Sequence, residues 1–246
     1  MIDVLIPAIF SKFNHVEAYF TKANRGFDTT EKENSGLNFG LTTNVDTHEI
    51  KRNYKALLHH LHLENINLAL AKQVHGNSIK MVNKGGIYPE TDGFITKTRN
   101  IYLGIQVADC AAVLIADPVH NILGAFHAGW RGAVNGIISN GLELMKKEGG
   151  STKDLYVFLS PCISQKEFEV GEEVAKLFPG QYCDRKSYRK PHLDLAGYLK
   201  EQIIDFGVHP DNIEHINECT YRNTDFFSYR RERDSAGRML AMIGLK

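Results

Sequence analysis

Three apolar runs of strand length, at residues 66–74, 101–108 and 122–126, each lead straight into a side chain that can ligate a metal ion: His75, Cys110 and His127. Strands of one sheet end at common edges, so one thiolate and two imidazoles can converge there. Such a donor set suits a catalytic zinc ion whose fourth position is open to water or substrate. The ligands lie too far apart in sequence for a zinc finger. Taken singly, each has an ordinary reading: a buried free cysteine is a small hydrophobe, and a histidine at a strand end is commonly hydrogen-bonded structure.

His127 is followed by Ala-Gly-Trp-Arg-Gly, after which Val134, Ile137, Ile138, Leu142 and Met145 recur at helical spacing. Strand, small-residue turn and helix start in that order can aim backbone N–H groups at an anion, with Arg131 beside them. Gly129 and Gly132 allow backbone to approach a ligand closely. Trp130 reads equally well as a turn or core anchor.

Lys plus Arg equals Asp plus Glu at 29 each, so no bulk charge argues for nucleic acid or a membrane as partner. The four cysteines form no C-x-x-C pair and fit reduced thiols better than a disulfide framework. The first residues lack a basic n-region, and no apolar run approaches the ~20 residues of a spanning helix. The expectation is a cytoplasmic protein, a monomer or a small homo-oligomer.

Asp46-Thr47-His48-Glu49 reads as a capping box for a helix with Ile50, Tyr54, Leu57, Leu58 and Leu61 as its apolar stripe. His60 and His62 resemble the paired histidines of copper sites only superficially, because helical spacing turns them roughly 160° apart. Residues 117–121 read as a turn between the run 113–116 and the strand before His127, which places Cys110 and His127 near a hairpin. Further strands are expected at 155–159, 213–216 and 238–243, and Asp194 caps a helix carrying Leu195, Leu199, Ile203 and Phe206. Strands and helices alternate irregularly, which favours a mixed-sheet α/β or α+β layering over a barrel or doubly wound sheet. Neither G-x-G-x-x-G nor G-x-x-x-x-G-K is present.

Several ordered segments resemble the family labelled YfiH-like, laccase-domain or polyphenol oxidase, and more recently purine nucleoside phosphorylase. They include Gly36-Leu37-Asn38-Phe39-Gly40, Gln73-Val74-His75-Gly76, Asp92-Gly93-Phe94, Val107-Ala108-Asp109-Cys110 and the segment from His127 to Gly132. Pro161-Cys162-Ile163, Glu169-Val170-Gly171, Cys219-Thr220, the run from Phe226 to Arg231, and Gly237-Arg238 continue it. The resemblance implies one catalytic domain over 1–246, a layered sandwich of two mixed sheets flanked by helices. It also implies phosphorolysis of adenosine, inosine and methylthioadenosine, and deamination of adenosine, in one site. Ala112 and Ser160 depart from the family pattern, and Thr21 to Gly26 fits it loosely. Lys22 and Arg25 are the stand-ins there for an anion-binding arginine.

Zinc on His75, Cys110 and His127 would lower the pKa of a bound water towards ~7, which suits hydrolytic deamination of a purine. Asp109 is the nearest acid to shuttle a proton, or else orients a ligand. Phosphorolysis needs cationic donors instead, and Arg131, Asn38, Arg230 and Arg231 are the candidates. Asn38 in its Gly-rich turn and Phe226 and Phe227 in a strand also have plain structural readings. Copper-dependent polyphenol oxidation requires several His-rich centres, and one three-ligand site ranks it below zinc. Catalysis by Cys110 as nucleophile with His75 or His127 as base, in a cysteine hydrolase, is the other alternative.

Overall fold

The computed structural model describes residues 2–27, 36–41 and 46–246. The strands are β1 (Val4–Leu5), β2 (Val16–Thr21), β3 (Asn67–Lys72), β4 (Ile79–Met81), β5 (Gly86–Pro89), β6 (Gly93–Thr96) and β7 (Ile101–Val107). They continue as β8 (Ala111–Asp117), β9 (Ile122–Ala128), β10 (Tyr156–Leu159), β11 (Cys183–Asp184), β12 (His192–Leu193), β13 (Ile213–His215) and β14 (Met239–Leu245). The helices are α1 (Thr47–His60), α2 (Trp130–Val134), α3 (Ile137–Lys147), α4 (Glu172–Ala175), α5 (Leu195–Asp205) and α6 (Tyr229–Glu232).

Two six-stranded sheets carry the fold. One has the order β1-β2-β14-β7-β3-β5 and the other β13-β10-β8-β9-β6-β4. Both are mixed: β3 pairs in parallel with β5 and β7, whereas β8 and β9 form an antiparallel hairpin. Phe20, Leu103, Ile105, Leu114, Phe158 and Ile243 from both sheets share one core cluster between them. Val113, Ile115 and Phe126 face the other way, against Ile138 and Leu142 of α3 and Leu199 of α5. Leu70, Tyr102 and Met242 cluster with Leu57 of α1 on the far side of the first sheet. The result is a helix–sheet–sheet–helix layering of α/β class, in agreement with the expected sandwich.

Local chemistry explains the elements. Strands β7, β8 and β9 are buried at every position, which is why they read as unbroken apolar runs. Asp46 caps α1 by accepting from the His48 N–H at 2.9 Å. Asp194 caps α5 in the same way, through the Gly197 N–H. The helix expected after Trp130 is in fact two, because Gly136 adopts φ 78° and breaks the run between α2 and α3. The strand expected at 66–74 stops at Lys72, which leaves Val74 and His75 in a turn.

Phe126 lies wholly buried between β9 and α3. Phe126→Ala should destabilise the protein by about 3–5 kcal/mol, as large-to-small changes in a close-packed core do. A denaturant midpoint within error of the parent value would show that this layer is not packed as described.

Candidate metal and anion site

The β8–β9 ladder pairs Ala112 with His127 and Ala111 with Ala128. Cys110 stands one residue before β8 and two before Ala112, so it shares the pleat parity of His127 and projects from the same end of the hairpin. His75 arrives from the first sheet, in the turn that follows β3. One ligand atom from each of His75, Cys110 and His127 lies within 4.8 Å of the others. The two imidazole rings meet edge to face with centroids 4.8 Å apart. Gly129 belongs to this packing: a β-carbon there would sit 2.9 Å from the Cys110 Sγ. Its missing side chain therefore gives the backbone its close approach to the Cys110 Sγ.

Asp92, just before β6, holds the two sheets together at this point. Its carboxylate accepts the backbone N–H groups of Val74, His75 and Gly76 at 3.2, 2.9 and 2.8 Å. It also bonds the His127 Nδ1 at 2.8 Å, which leaves Nε2 as the ring nitrogen available to a ligand. This grip accounts for the φ of 60° at His75, a conformation uncommon outside glycine. Burial would raise the Asp92 carboxyl, but the His127 bond and charge and the backbone donors outweigh it and hold it low. Burial likewise pushes the Cys110 thiol up, yet the His127 charge and hydrogen bonds from both histidines bring it down to about 6. His127 moves the opposite way: burial opposes its charge, and the adjoining thiolate and Asp92 raise it to about 9.

The cluster opens into a cavity of about 520 Å³, lined also by Arg131, Arg230, Arg233, Arg238, Trp130, Phe168 and Tyr229. The Arg131 guanidinium lies over the Trp130 ring, 4.3 Å from its centroid. Helix α2 has only five residues, so the anion-binding potential expected of that turn falls mainly to the guanidiniums. Among the described residues, none of the four cavity arginines forms an ion pair, whereas Arg25, Arg185, Arg222 and Arg231 each do. Burial lowers the Arg238 pKa, against the opposing pull of Cys110 and Asp109.

Other candidates are engaged elsewhere. Arg231 points away from the cavity and donates to the carbonyls of Thr220, Tyr221 and Phe226. Asn38 is buried structure, accepting from the Gly40 and Arg238 N–H groups, each at 2.9 Å. Lys22 pairs with Asp3 and Asp225, and Arg25 with Glu232. Asp109 lines the cavity, but at φ 77° it lies outside β7 and β8, so strand alternation does not fix its direction. Sequence reasoning missed Asp92, Arg233 and Arg238. The first and last stand in the quoted segments Asp92-Gly93-Phe94 and Gly237-Arg238, yet nothing local to either marks a role.

Residues 17–246 match the family described as multi-copper polyphenol oxidoreductase laccase. The chain is 33% identical over 205 residues to a purine nucleoside phosphorylase of Rickettsia conorii, covering 80% of this chain and 83% of that one. It is 32% identical over 237 residues to a purine nucleoside phosphorylase of Clostridium acetobutylicum, covering 94% and 96%. The crystal structure of the hypothetical protein YfiH of Bacillus licheniformis superposes with a TM-score of 0.88 at 25% identity, covering 100% of this chain and 97% of that one.

Two measurements test the site. Asp92→Asn should weaken metal binding by about 10–100-fold, as loss of a partner that orients a ligand histidine does. Equilibrium dialysis that returned parent affinity would remove Asp92 from the site. In metal-free protein, alkylation of Cys110 should rise through about pH 6 and level off, because the depressed thiol is already thiolate above that value. A rate still climbing steeply beyond about pH 8 would show an unperturbed thiol.

Proposed function

This chain belongs to the multi-copper polyphenol oxidoreductase laccase family, and we propose that within it the protein is a metal-dependent purine nucleoside phosphorylase that also deaminates adenosine. The carrying observation is one cavity of about 520 Å³ that unites a His–Cys–His donor cluster, four guanidiniums and three aromatic rings. A drug- or nucleoside-sized ligand fits such a volume. The names of the relatives from Rickettsia conorii and Clostridium acetobutylicum support the same reading.

The donor set fits one zinc ion: His75, Cys110 and His127 would hold it, with Asp92 fixing the His127 tautomer. Bound there, the metal would supply Lewis-acid polarisation of a substrate oxygen. A multi-copper centre needs several such clusters, and among the described residues one is close enough to hold an ion. Trp130, Phe168 and Tyr229 offer apolar faces to the purine. The arginines hold phosphate against the sugar carbon that breaks from the base, where charge-assisted donors matter more than a strong base. Adenosine, inosine and methylthioadenosine are the expected substrates.

A second reading rests on the bond between Asp92 and His127. Cys110, His127 and Asp92 have the order of a nucleophile, its base and the carboxylate that orients the base. The two readings separate on metal.

Purified protein should release free purine from inosine only when phosphate is present, with ribose 1-phosphate as co-product, and should convert some adenosine to inosine without it. A chelator should abolish both activities, and zinc should restore them. Full activity in metal-free protein, with a covalent adduct trapped on Cys110, would overturn the zinc reading in favour of the cysteine nucleophile. Nucleoside left intact under all conditions would overturn both substrate assignments.

A further inference from the structure

Asp109 is the carboxylate that lines the cavity alongside the four guanidiniums, and its hydrogen bonds go to protein. One oxygen accepts from the Thr220 hydroxyl at 2.7 Å, and the other accepts from the Arg230 backbone N–H at 2.6 Å. Its carbonyl accepts from the Ile163 N–H at 3.0 Å. Thr220 is fully buried, so this hydroxyl has no competing water. Three separate segments, at 163, 220 and 230, therefore meet on a single residue next to Cys110.

The Arg230 N–H belongs to the first turn of α6, which Ser228 caps through the Arg231 N–H. Asp109, from the loop between β7 and β8, satisfies a second orphan donor of that turn. The helix that Asp109 grips carries Arg230, and Arg233 follows it at once with φ 54°. Arg230 is fixed at its far end as well, where Nη2 donates to the Glu169 carbonyl at 2.9 Å.

We infer that Asp109 is the positioning residue that ties the Cys110 turn to the arginine wall, and so sets the affinity for phosphate rather than transferring a proton. Both carboxylate oxygens are committed to fixed donors, which leaves a poor geometry for handing a proton to a ligand. The inference rests on the phosphate-binding part of the proposed function and names the residue that sets it.

Three variants test it. Asp109→Gly removes the carboxylate and tolerates the left-handed backbone. Thr220→Val removes one donor at nearly constant shape. Asp109→Asn keeps the geometry, since its amide can accept from the Arg230 N–H and donate to the Thr220 hydroxyl, and asparagine adopts positive φ readily. Calorimetric titration with inorganic phosphate on the metal-loaded protein should give a Kd raised roughly tenfold in Asp109→Gly and roughly threefold in Thr220→Val, the scale of one or two lost hydrogen bonds. Asp109→Asn should recover most of the loss, and metal content should be equal in all three. Unchanged phosphate affinity in Asp109→Gly and Thr220→Val, with turnover lost in Asp109→Asn, would overturn the positioning role and assign proton transfer. A parent protein that binds no phosphate would overturn the arginine wall itself, while the metal assay above still judges the nucleoside reading separately.

Discussion

A single buried carboxylate holds the functional end of this fold together. Asp92 accepts three consecutive backbone N–H groups from the turn after β3 and also bonds the imidazole of His127 on β9. Those partners belong to different sheets. Without the carboxylate, three N–H donors and one ring nitrogen would lose their acceptor at the sheet edges, where unmet donors are expensive. With it, His75 is placed by its backbone and His127 by its ring. The sandwich packing brings the sheets within reach, and Asp92 converts that proximity into a defined distance between two imidazoles.

The same end of the molecule gathers backbone strain and an excess of cationic side chains. His75, Asp109 and Arg233 all line the cavity with positive φ. Each such residue costs about 1–3 kcal/mol unless its surroundings over-determine it. For His75 the constraint is the Asp92 grip, and for Asp109 it is the convergence of Thr220, Arg230 and Ile163. Among the described residues the four guanidiniums form no ion pair, and with Asp109 as the one carboxylate beside them they leave the cavity lining net positive. The fully buried strands β7, β8 and β9 lie immediately behind and supply the rigidity that such a site requires.

Much of the scaffold was legible in the sequence because burial on both faces writes strands as unbroken apolar runs. Hence β7 and β9 could be placed closely, and the candidate donors His75, Cys110 and His127 were read from the ends of the runs at 66–74, 101–108 and 122–126, although the structure draws the first of them from the other sheet than the last. The capping residues Asp46 and Asp194 marked two helix starts through their own chemistry. Strand order was not legible, since pairing β14 with both β2 and β7 joins segments more than a hundred residues apart. The break at Gly136 hid inside a helical period. Asp92 was quoted with its segment but carried no local mark, because its partners at 74–76 and 127 become neighbours only in space. Arg231 looked as apt as Arg230, and only the direction of α6 separates them: one guanidinium lines the cavity and the other is spent on carbonyls.

The β8–β9 hairpin closes at Asp117 opposite Ile122, a full strand length from the Cys110 and His127 end. Its four-residue tip includes the exposed Val119, and Asp117 anchors the near side through the His120 N–H. Side chains alternate faces along a strand, so removing one residue from within β8 would turn Cys110 away from its partners. Adding residues at the tip leaves the ladder register untouched, and loop closure penalises length only weakly. The hairpin thus separates a segment intolerant of any length change from a tip held by its own anchors, since Asp117 also accepts the Ser151 N–H at 2.8 Å and the Pro118 carbonyl bonds the His15 Nε2 at 3.0 Å, so an inserted peptide tag must leave the Pro118 side of the tip in place.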